Sequence, residues 1–301
     1  MYTGPGPARN RGLTEARGEF IWFVDADDEV PTENFRDFDI KQACQNCDVV
    51  MFRYNQVIPG VKGTQPWEKY DDKVMATRPA DDFTVAEFPD VLITLLSVWN
   101  KFFRREIIET SGMNFPDCAI YEDVTFTIIN LCAAKNIRFV NRELYTYHRN
   151  NSHLSLANDE RRMLIFPAMQ ICENWLKRNC INRDIWTLFH VCKIRCILFS
   201  YMQTNELVRC QIKQYFDDYL RSLDQDTFVR LLRHPFLNIK VKQRMLELQN
   251  FAYSRIECDD SHKYWLQTYH DRKKSQMAFC ILTLFSTDYL IHSRFLDFFY
   301  Q

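Results

Sequence analysis

Residues 19–28 read Glu-Phe-Ile-Trp-Phe-Val-Asp-Ala-Asp-Asp, and this stretch decides the fold of the N-terminal part of the chain. Its five consecutive β-prone apolar residues, 20–24, predict a short buried strand. The strand runs directly into the carboxylates of Asp25, Asp27 and Asp28. Clustered like charges repel unless a cation joins them, and oxygen-only donors favour Mg²⁺ or Mn²⁺ over zinc or copper. The stretch predicts a divalent metal at the end of a strand, with a solvated acidic turn as the alternative.

Blocks on both sides of this strand follow the pattern of a known family. Ala8-Arg9-Asn10-Arg11-Gly12-Leu13 precedes it, and Glu29-Val30-Pro31 follows. Further along come Trp99-Asn100-Lys101-Phe102-Phe103, then Tyr121-Glu122-Asp123, and then residues 145–155. In order and spacing these blocks resemble family 2 of the inverting nucleotide-sugar glycosyltransferases, whose fold is called GT-A. The resemblance covers residues 4–155, and the rest of the chain resembles no family that we can name.

The resemblance implies an α/β fold with a partial GT-A, Rossmann-like sheet over residues 1–155. Enzymes of this family place several strand-helix units ahead of the Arg-Asn block, whereas Met1 lies only a few residues before it, so we expect a sheet that lacks its first strands. All seven glycines lie at or before Gly112, and only Pro167 and Pro235 follow Pro116. Because these residues mark turns, we predict an all-α C-terminal domain of five to seven helices over residues 156–301.

Hydrophobic spacing predicts further elements along the chain. We expect helices over residues 8–16 and 122–134 and from Thr32 onward, strands over 48–54, 138–140 and 144–148, and an irregular loop over 55–80. Thr84 and Glu87 have the spacing of a helix capping box. Leu164, Ala168, Ile171 and Trp175 form a stripe at helical spacing, which predicts an amphipathic helix packed on the α/β part.

Composition narrows the class of protein and its partners. The chain has 301 residues, 47% of them hydrophobic, and a formal net charge of −1, so it provides no field to attract nucleic acid. Eleven cysteines without a secretory signal predict a reducing, cytoplasmic location. No apolar run approaches the roughly 18 residues of a membrane-spanning helix. Peripheral membrane association stays open and would suit a lipid-linked acceptor.

The family implies a metal-dependent, inverting transferase that moves a sugar from a nucleotide-sugar donor to a hydroxyl of a glycan or lipid-linked glycan. By this resemblance Asp25 faces the donor ribose, and the later aspartates hold Mg²⁺ or Mn²⁺. Asp123 is the expected catalytic base, and Glu122 is expected to bind donor or acceptor sugar. The alternative is that Glu122 and Asp123 simply favour a helix N-terminus through the helix dipole.

Six further residues are candidates for binding the donor or its metal. Arg9, with Asn10 beside it, is expected to contact the diphosphate or to form a structural ion pair with the aspartates. Trp99 and Lys101 combine an aromatic face and a cation that suit a sugar-binding wall, although a lone tryptophan is more often a core residue. His148 is a candidate metal or diphosphate ligand and Arg149 a diphosphate ligand, so that the candidate donor-binding residues are Arg9, Asn10, Asp25, Trp99, Lys101 and Arg149.

A second hypothesis comes from another functional class. A chain that lacks the first strands would be a non-catalytic remnant or pseudoenzyme that keeps the acceptor half and the helical domain. The strand ending at Asp25 would then have an open edge, which favours aggregation or an edge-to-edge homodimer.

Overall fold

The computed structural model describes residues 4–66, 69–149, 159–179 and 182–248. Met1–Lys242 form one compact unit, and Gln243–Gln301 form a second. The domain boundary predicted between residues 155 and 156 falls outside the described residues and stays a prediction.

A mixed six-stranded sheet forms the centre of the α/β part. Its strands are β1 (Phe20–Trp22), β2 (Val49–Val57), β3 (Gln65–Pro66), β4 (Asp82–Phe83), β5 (Lys101–Arg104) and β6 (Ile137–His148). The order across the sheet is β1-β5-β2-β6-β4, with β3 paired to β2. The long β2 and β6 strands run parallel, and the other pairs are antiparallel. The predicted α/β class is confirmed.

Two neighbouring aromatic residues, Trp22 and Phe23, hold β1 by packing on opposite faces of the sheet. The ring of Phe23, just after the strand, packs edge-on against Phe115 and Phe126, with centroids 5.0 and 5.6 Å away. The ring of Trp22 packs on the other side, edge-on against Phe52 and Phe102 at 5.8 and 5.2 Å. Successive side chains of a strand point to opposite faces, so the apolar run of residues 20–24 covers both faces of the sheet. This packing sets where the chain emerges at Asp25.

Two helices of the α/β part confirm the predictions at 8–16 and 122–134, and three others lie at positions that the sequence did not predict as helical. They are α1 (Gly6–Glu15), α2 (Ile40–Cys44), α3 (Lys69–Met75), α4 (Arg105–Ser111) and α5 (Glu122–Ala133). The expected helix at Thr32 is a single 3₁₀ turn, Thr32–Phe35. The loop predicted over residues 55–80 was wrong in part, since it contains the end of β2, β3 and α3, and the two strands predicted after residue 137 are one strand. Thr84 and Glu87 form the predicted capping box ahead of a 3₁₀ helix, Pro89–Ile93.

The described residues after 158 are mostly helical. A 3₁₀ turn, Glu160–Leu164, leads into α6 (Ile165–Arg178), α7 (Arg183–Met202), α8 (Glu206–Ser222), α9 (Gln225–Arg233) and α10 (Ile239–Leu248). The predicted stripe on α6 is one residue out of register: Ile165, Ala168, Met169, Cys172 and Leu176 are buried, and Ile171 is exposed. Helix α7 has the length and hydropathy of a membrane span, contrary to the sequence expectation, but 61% of its apolar window is buried inside the protein.

Candidate active site

Arg9 binds both of the acidic motifs that the sequence predicts as functional, residues 25–28 after β1 and residues 122–123 at the start of α5. It lies on α1, and its Nη2 donates to Asp25 Oδ1 at 2.8 Å while its Nη1 donates to Glu122 Oε1 at 2.5 Å. Its side chain is 13% exposed. Burial opposes the charge of Arg9, but Asp25, Asp123 and Glu122 together raise the pKa of its guanidinium above the usual value. One cation thus holds the end of β1 against the start of α5.

The Glu122-Asp123 pair forms the first turn of α5, although the two side chains have different surroundings. Glu122 is buried and bound to Arg9, whereas Asp123 is partly exposed and accepts a 2.8 Å hydrogen bond from the amide of Val124. Burial, with a further contribution from Asp123, raises the pKa of Glu122. Burial also raises the pKa of Asp123, against the charge of Arg9. The two carboxylates thus differ in their partners, since Arg9 binds Glu122 and the first turn of α5 binds Asp123.

Residues 25–28, which follow β1, are called the aspartate turn below. Within this turn, Asp28 is held by contacts with β6. Its Oδ2 accepts from the hydroxyl of Tyr145 at 2.7 Å, and its Oδ1 accepts from the amide of His148 at 2.8 Å. The Tyr145 hydroxyl in turn accepts from the amide of Asp25 at 3.1 Å. The ring Nε2 of His148 lies 3.2 Å from a carboxylate oxygen of Glu29. The structure therefore gives both predicted metal ligands contacts within the protein.

Replacing Tyr145 with phenylalanine should lower the free energy of unfolding by about 1–3 kcal/mol, because the partly buried amide of Asp25 and a carboxylate oxygen of Asp28 both lose this partner. A double-mutant cycle with Asp28→Asn in urea denaturation measures the contact, and we expect a coupling of about 1 kcal/mol. Additive effects of the two substitutions would show that the hydroxyl does not hold the turn.

The amide of Asn10 holds α1 in place and does not point to a ligand. Its Nδ2 donates to the carbonyl of Phe115 at 2.8 Å, and its Oδ1 accepts from the amide of Phe115 at 2.9 Å. Gly6 begins α1 so near the same segment that a Cβ there would lie 2.9 Å from the Pro116 carbonyl oxygen. Both contacts dock α1 beside the segment that leads into α5, which places Arg9 between the acidic motifs.

The structure does not bring Trp99 or Lys101 to this site. The Trp99 ring is stacked on Tyr145 and Tyr147, with centroids 4.6 and 5.3 Å away, and is 6% exposed. The Lys101 ammonium is fully buried and donates to the carbonyls of Leu95 and Ser97 and to Oδ1 of Asn100, at 3.0, 2.8 and 2.6 Å. Neither the ring nor the ammonium can reach a donor without repacking the core, so the predicted sugar-binding wall needs correction.

Arg149 lies at the end of the sheet, where its backbone amide donates to the carbonyl of Val57 at 2.9 Å and its side chain is half-buried. A polar cavity of about 670 Å³ adjoins the aspartate turn. It shares only Asp28 with the predicted site residues and is otherwise lined by Glu29, Val30, Pro31, Thr32, Glu33, Asn34, Asn55, Thr64 and Thr146.

Among the described residues, no group of three or more His, Cys, Asp or Glu side chains could by itself hold a metal ion. Mg²⁺ in phosphate-transfer sites needs only one or two carboxylates, because substrate phosphates and water complete its shell. Asp25, which is partly exposed, and Asp27, which is exposed, fit that arrangement. The donor set suits a metal shared with a diphosphate and does not suit a protein-only cage.

Sequence reasoning missed the role of two tyrosines, Tyr145 in the aspartate turn and Tyr121 before the acidic pair. Both residues stand in the quoted family blocks, but their hydroxyl partners come from segments distant in the chain. Their roles could be recognised only from these contacts in the structure.

The α/β fold holds a candidate site in which Arg9 joins two acidic motifs. A family model described as "Glycosyl transferase family 2" matches residues 2–121. Over those residues the chain is similar to glycosyl transferase family 2, the family that its sequence motifs also resemble.

Two curated relatives to which the chain is similar are glycosyltransferases by name. A putative glycosyltransferase, EpsH, of Bacillus subtilis is 28% identical over 171 residues, which cover 55% of this chain and 46% of that protein. The cholesterol galactosyltransferase of Borreliella burgdorferi is 25% identical over 192 residues, covering 62% and 53%. The chain spans about half the length of these relatives. Residues 1–349 of Staphylococcus aureus TarS, solved with UDP-GlcNAc, align with a TM-score of 0.43 at 21% identity, covering 83% of this chain and 72% of that one.

Proposed function

We propose that this chain transfers a sugar from a nucleotide-sugar donor to a hydroxyl of a glycan or lipid-linked acceptor, with inversion at the anomeric carbon and with a divalent metal. The observation that carries the proposal is the position of Arg9, bonded at once to Asp25 and Glu122. Through it the aspartate turn lies next to the Glu-Asp pair. Donor-side and acceptor-side carboxylates therefore share one site.

Asp123 is the proposed general base. Inverting transfer needs one carboxylate to take the proton from the acceptor hydroxyl while that oxygen attacks the anomeric carbon and the nucleoside diphosphate leaves. Arg9 holds Glu122, whereas the Asp123 carboxylate accepts from the Val124 amide. Burial raises the pKa of Asp123, which is the direction that suits a general base. Glu122 is buried against Arg9, so we assign it the task of orienting that arginine.

Asp25 and Asp27 are the proposed metal ligands, since both Asp28 oxygens have partners in the turn. A bound Mg²⁺ or Mn²⁺ would neutralise charge on the departing diphosphate. Arg149, half-buried at the end of β6, stays a candidate diphosphate ligand. We also propose a cytoplasmic location, in keeping with its eleven cysteines, with a lipid-linked acceptor at the membrane surface.

Nucleotide binding tests the proposal directly. We expect a nucleoside diphosphate to bind in isothermal titration with Mn²⁺ and to bind at least tenfold more weakly without it, because the metal bridges carboxylate and phosphate. Asp27→Ala should abolish the effect of Mn²⁺, whereas Asp39→Ala, in the cap of α2, should keep it. A folded protein that binds none of the UDP, GDP, CDP and dTDP series would favour the non-catalytic remnant over the enzyme.

A further inference from the structure

The residue that precedes the acidic pair has an unusual backbone. Tyr121 has φ +71° and immediately precedes α5. Among the described residues, the other non-glycine residue with positive φ is Asn46. Asparagine tolerates the left-handed region because its short polar side chain can bond locally, but tyrosine has no such compensation. Contacts from elsewhere in the fold must therefore hold Tyr121 in this conformation.

Those contacts come from the helical part of the chain. The Tyr121 hydroxyl lies 2.5 Å from Ser200 Oγ on α7 and accepts from Arg162 Nη1 at 3.1 Å. Ser200 Oγ itself donates to the carbonyl of Cys196 at 2.8 Å, so the tyrosine hydroxyl is the donor to Ser200. The hydrogen bonds run in one direction, from Arg162 through Tyr121 and Ser200 to Cys196. Successive hydrogen bonds in such a series strengthen one another.

Both side chains that bind the Tyr121 hydroxyl are buried inside the protein. Arg162 is 1% exposed and Ser200 is 0% exposed. The guanidinium of Arg162 also lies over the rings of Tyr121 and Phe199, at 6.0 and 5.6 Å from their centroids. The carbonyl of Tyr121 accepts from the amide and the hydroxyl of Thr125, which closes the first turn of α5. The anchored ring thus sets where that turn begins.

We infer that Tyr121 is a positioning residue, through which α7 and Arg162 hold Glu122 against Arg9 and aim Asp123 into the site. The inference rests on the proposed function for the part that concerns catalysis. Glu122 follows Tyr121 directly, and a change in the Tyr121 backbone would turn the Cα–Cβ bond of Glu122 away from Arg9. Ser200 of α7 and Arg162 would then fix the orientation of Glu122 and Asp123 in the α/β part.

The arginine side-chain NMR spectrum tests the geometry without any substrate. In the wild-type protein at low temperature, the Nη–H resonances of Arg9, assigned by their absence in Arg9→Lys, should be resolved because two carboxylates hold the guanidinium. We expect Tyr121→Phe and Ser200→Ala to lose the separate Nη1–H resonance. Tyr219→Phe is the matched control, since it removes a 2.5 Å contact between the Tyr219 hydroxyl and His190, which is on the same helix as Ser200, α7. His190 lies ten residues before Ser200, or about 15 Å along the helix.

A folded Tyr121→Phe protein with the wild-type Arg9 spectrum would overturn the inference, and so would loss of the resonance in Tyr219→Phe. If Tyr121→Phe does not fold, Ser200→Ala decides in the same way. Release of nucleoside diphosphate from a series of UDP-, GDP-, CDP- and dTDP-sugars with Mn²⁺ adds a kinetic measurement, in which kcat should fall about tenfold at unchanged KM. A wild-type protein that is inactive with the whole series counts against the proposed function, whereas the Arg9 spectrum still decides the inference.

Discussion

Asp123→Asn should lower kcat for sugar transfer by about 10²–10⁴-fold while the affinity for nucleotide stays within about twofold. Asparagine keeps the size of the side chain and its hydrogen bond from the Val124 amide, but it cannot take a proton from an acceptor hydroxyl. The measurement is steady-state release of nucleoside diphosphate, together with nucleotide titration of the same preparation.

Asp117→Asn is the matched control, because Asp117 is exposed in the segment that leads to the same helix. It should leave kcat unchanged within about twofold, as is usual for a surface substitution. If Asp123→Asn retains full activity while Glu122→Gln is inactive, the base is Glu122, and the assignment of the two carboxylates must be exchanged.

Removing the cation between the two acidic motifs should destabilise the protein strongly. In Arg9→Met, the buried carboxylate of Glu122 and the partly buried one of Asp25 both lose the partner that compensates their charge. Breaking a buried ion pair from one side costs about 3–5 kcal/mol. Urea denaturation at neutral pH should show this loss. Arg11→Met, on the same helix but 79% exposed, should change stability by about 0.5 kcal/mol or less.

The pH dependence of this loss identifies its cause. Glu122 already has a raised pKa, through burial and Asp123 and against Arg9, and without Arg9 the pKa should rise further. The folded state then binds a proton that the unfolded chain, with its usual value of 4.5, has released, so stability falls as pH rises above 4.5. The wild-type protein shares this fall up to its own raised Glu122 pKa. The loss in Arg9→Met should therefore be smallest below that pKa and grow as pH rises above it, and adding Glu122→Gln should remove this growth. Equal losses at all pH values would assign the effect to packing.

Much of the α/β part could be predicted because its signals are local. The β-prone run at 20–24 predicts β1, and the glycine and proline distribution predicts the change to helices. The failures are equally physical. The stripe on α6 was misplaced by one residue, since neighbouring registers of an apolar helix are equally plausible until its partners are known. Lys101 was predicted to line a sugar-binding wall, but its ammonium is buried and bound to carbonyls of the preceding loop, which no sequence pattern predicts.

The candidate site divides in the same way. The amino-acid sequence predicts which carboxylates form the candidate site, because Asp25-Ala26-Asp27-Asp28 and Glu122-Asp123 are contiguous motifs after a strand and at the start of a helix. Their contacts are visible only in the tertiary structure, where Asp28 is held by Tyr145 and Glu122 by Arg9. Those partners lie 117 and 113 positions away in the chain. Contacts at such separations depend on how the sheet and helices pack, whereas a motif depends only on neighbouring residues.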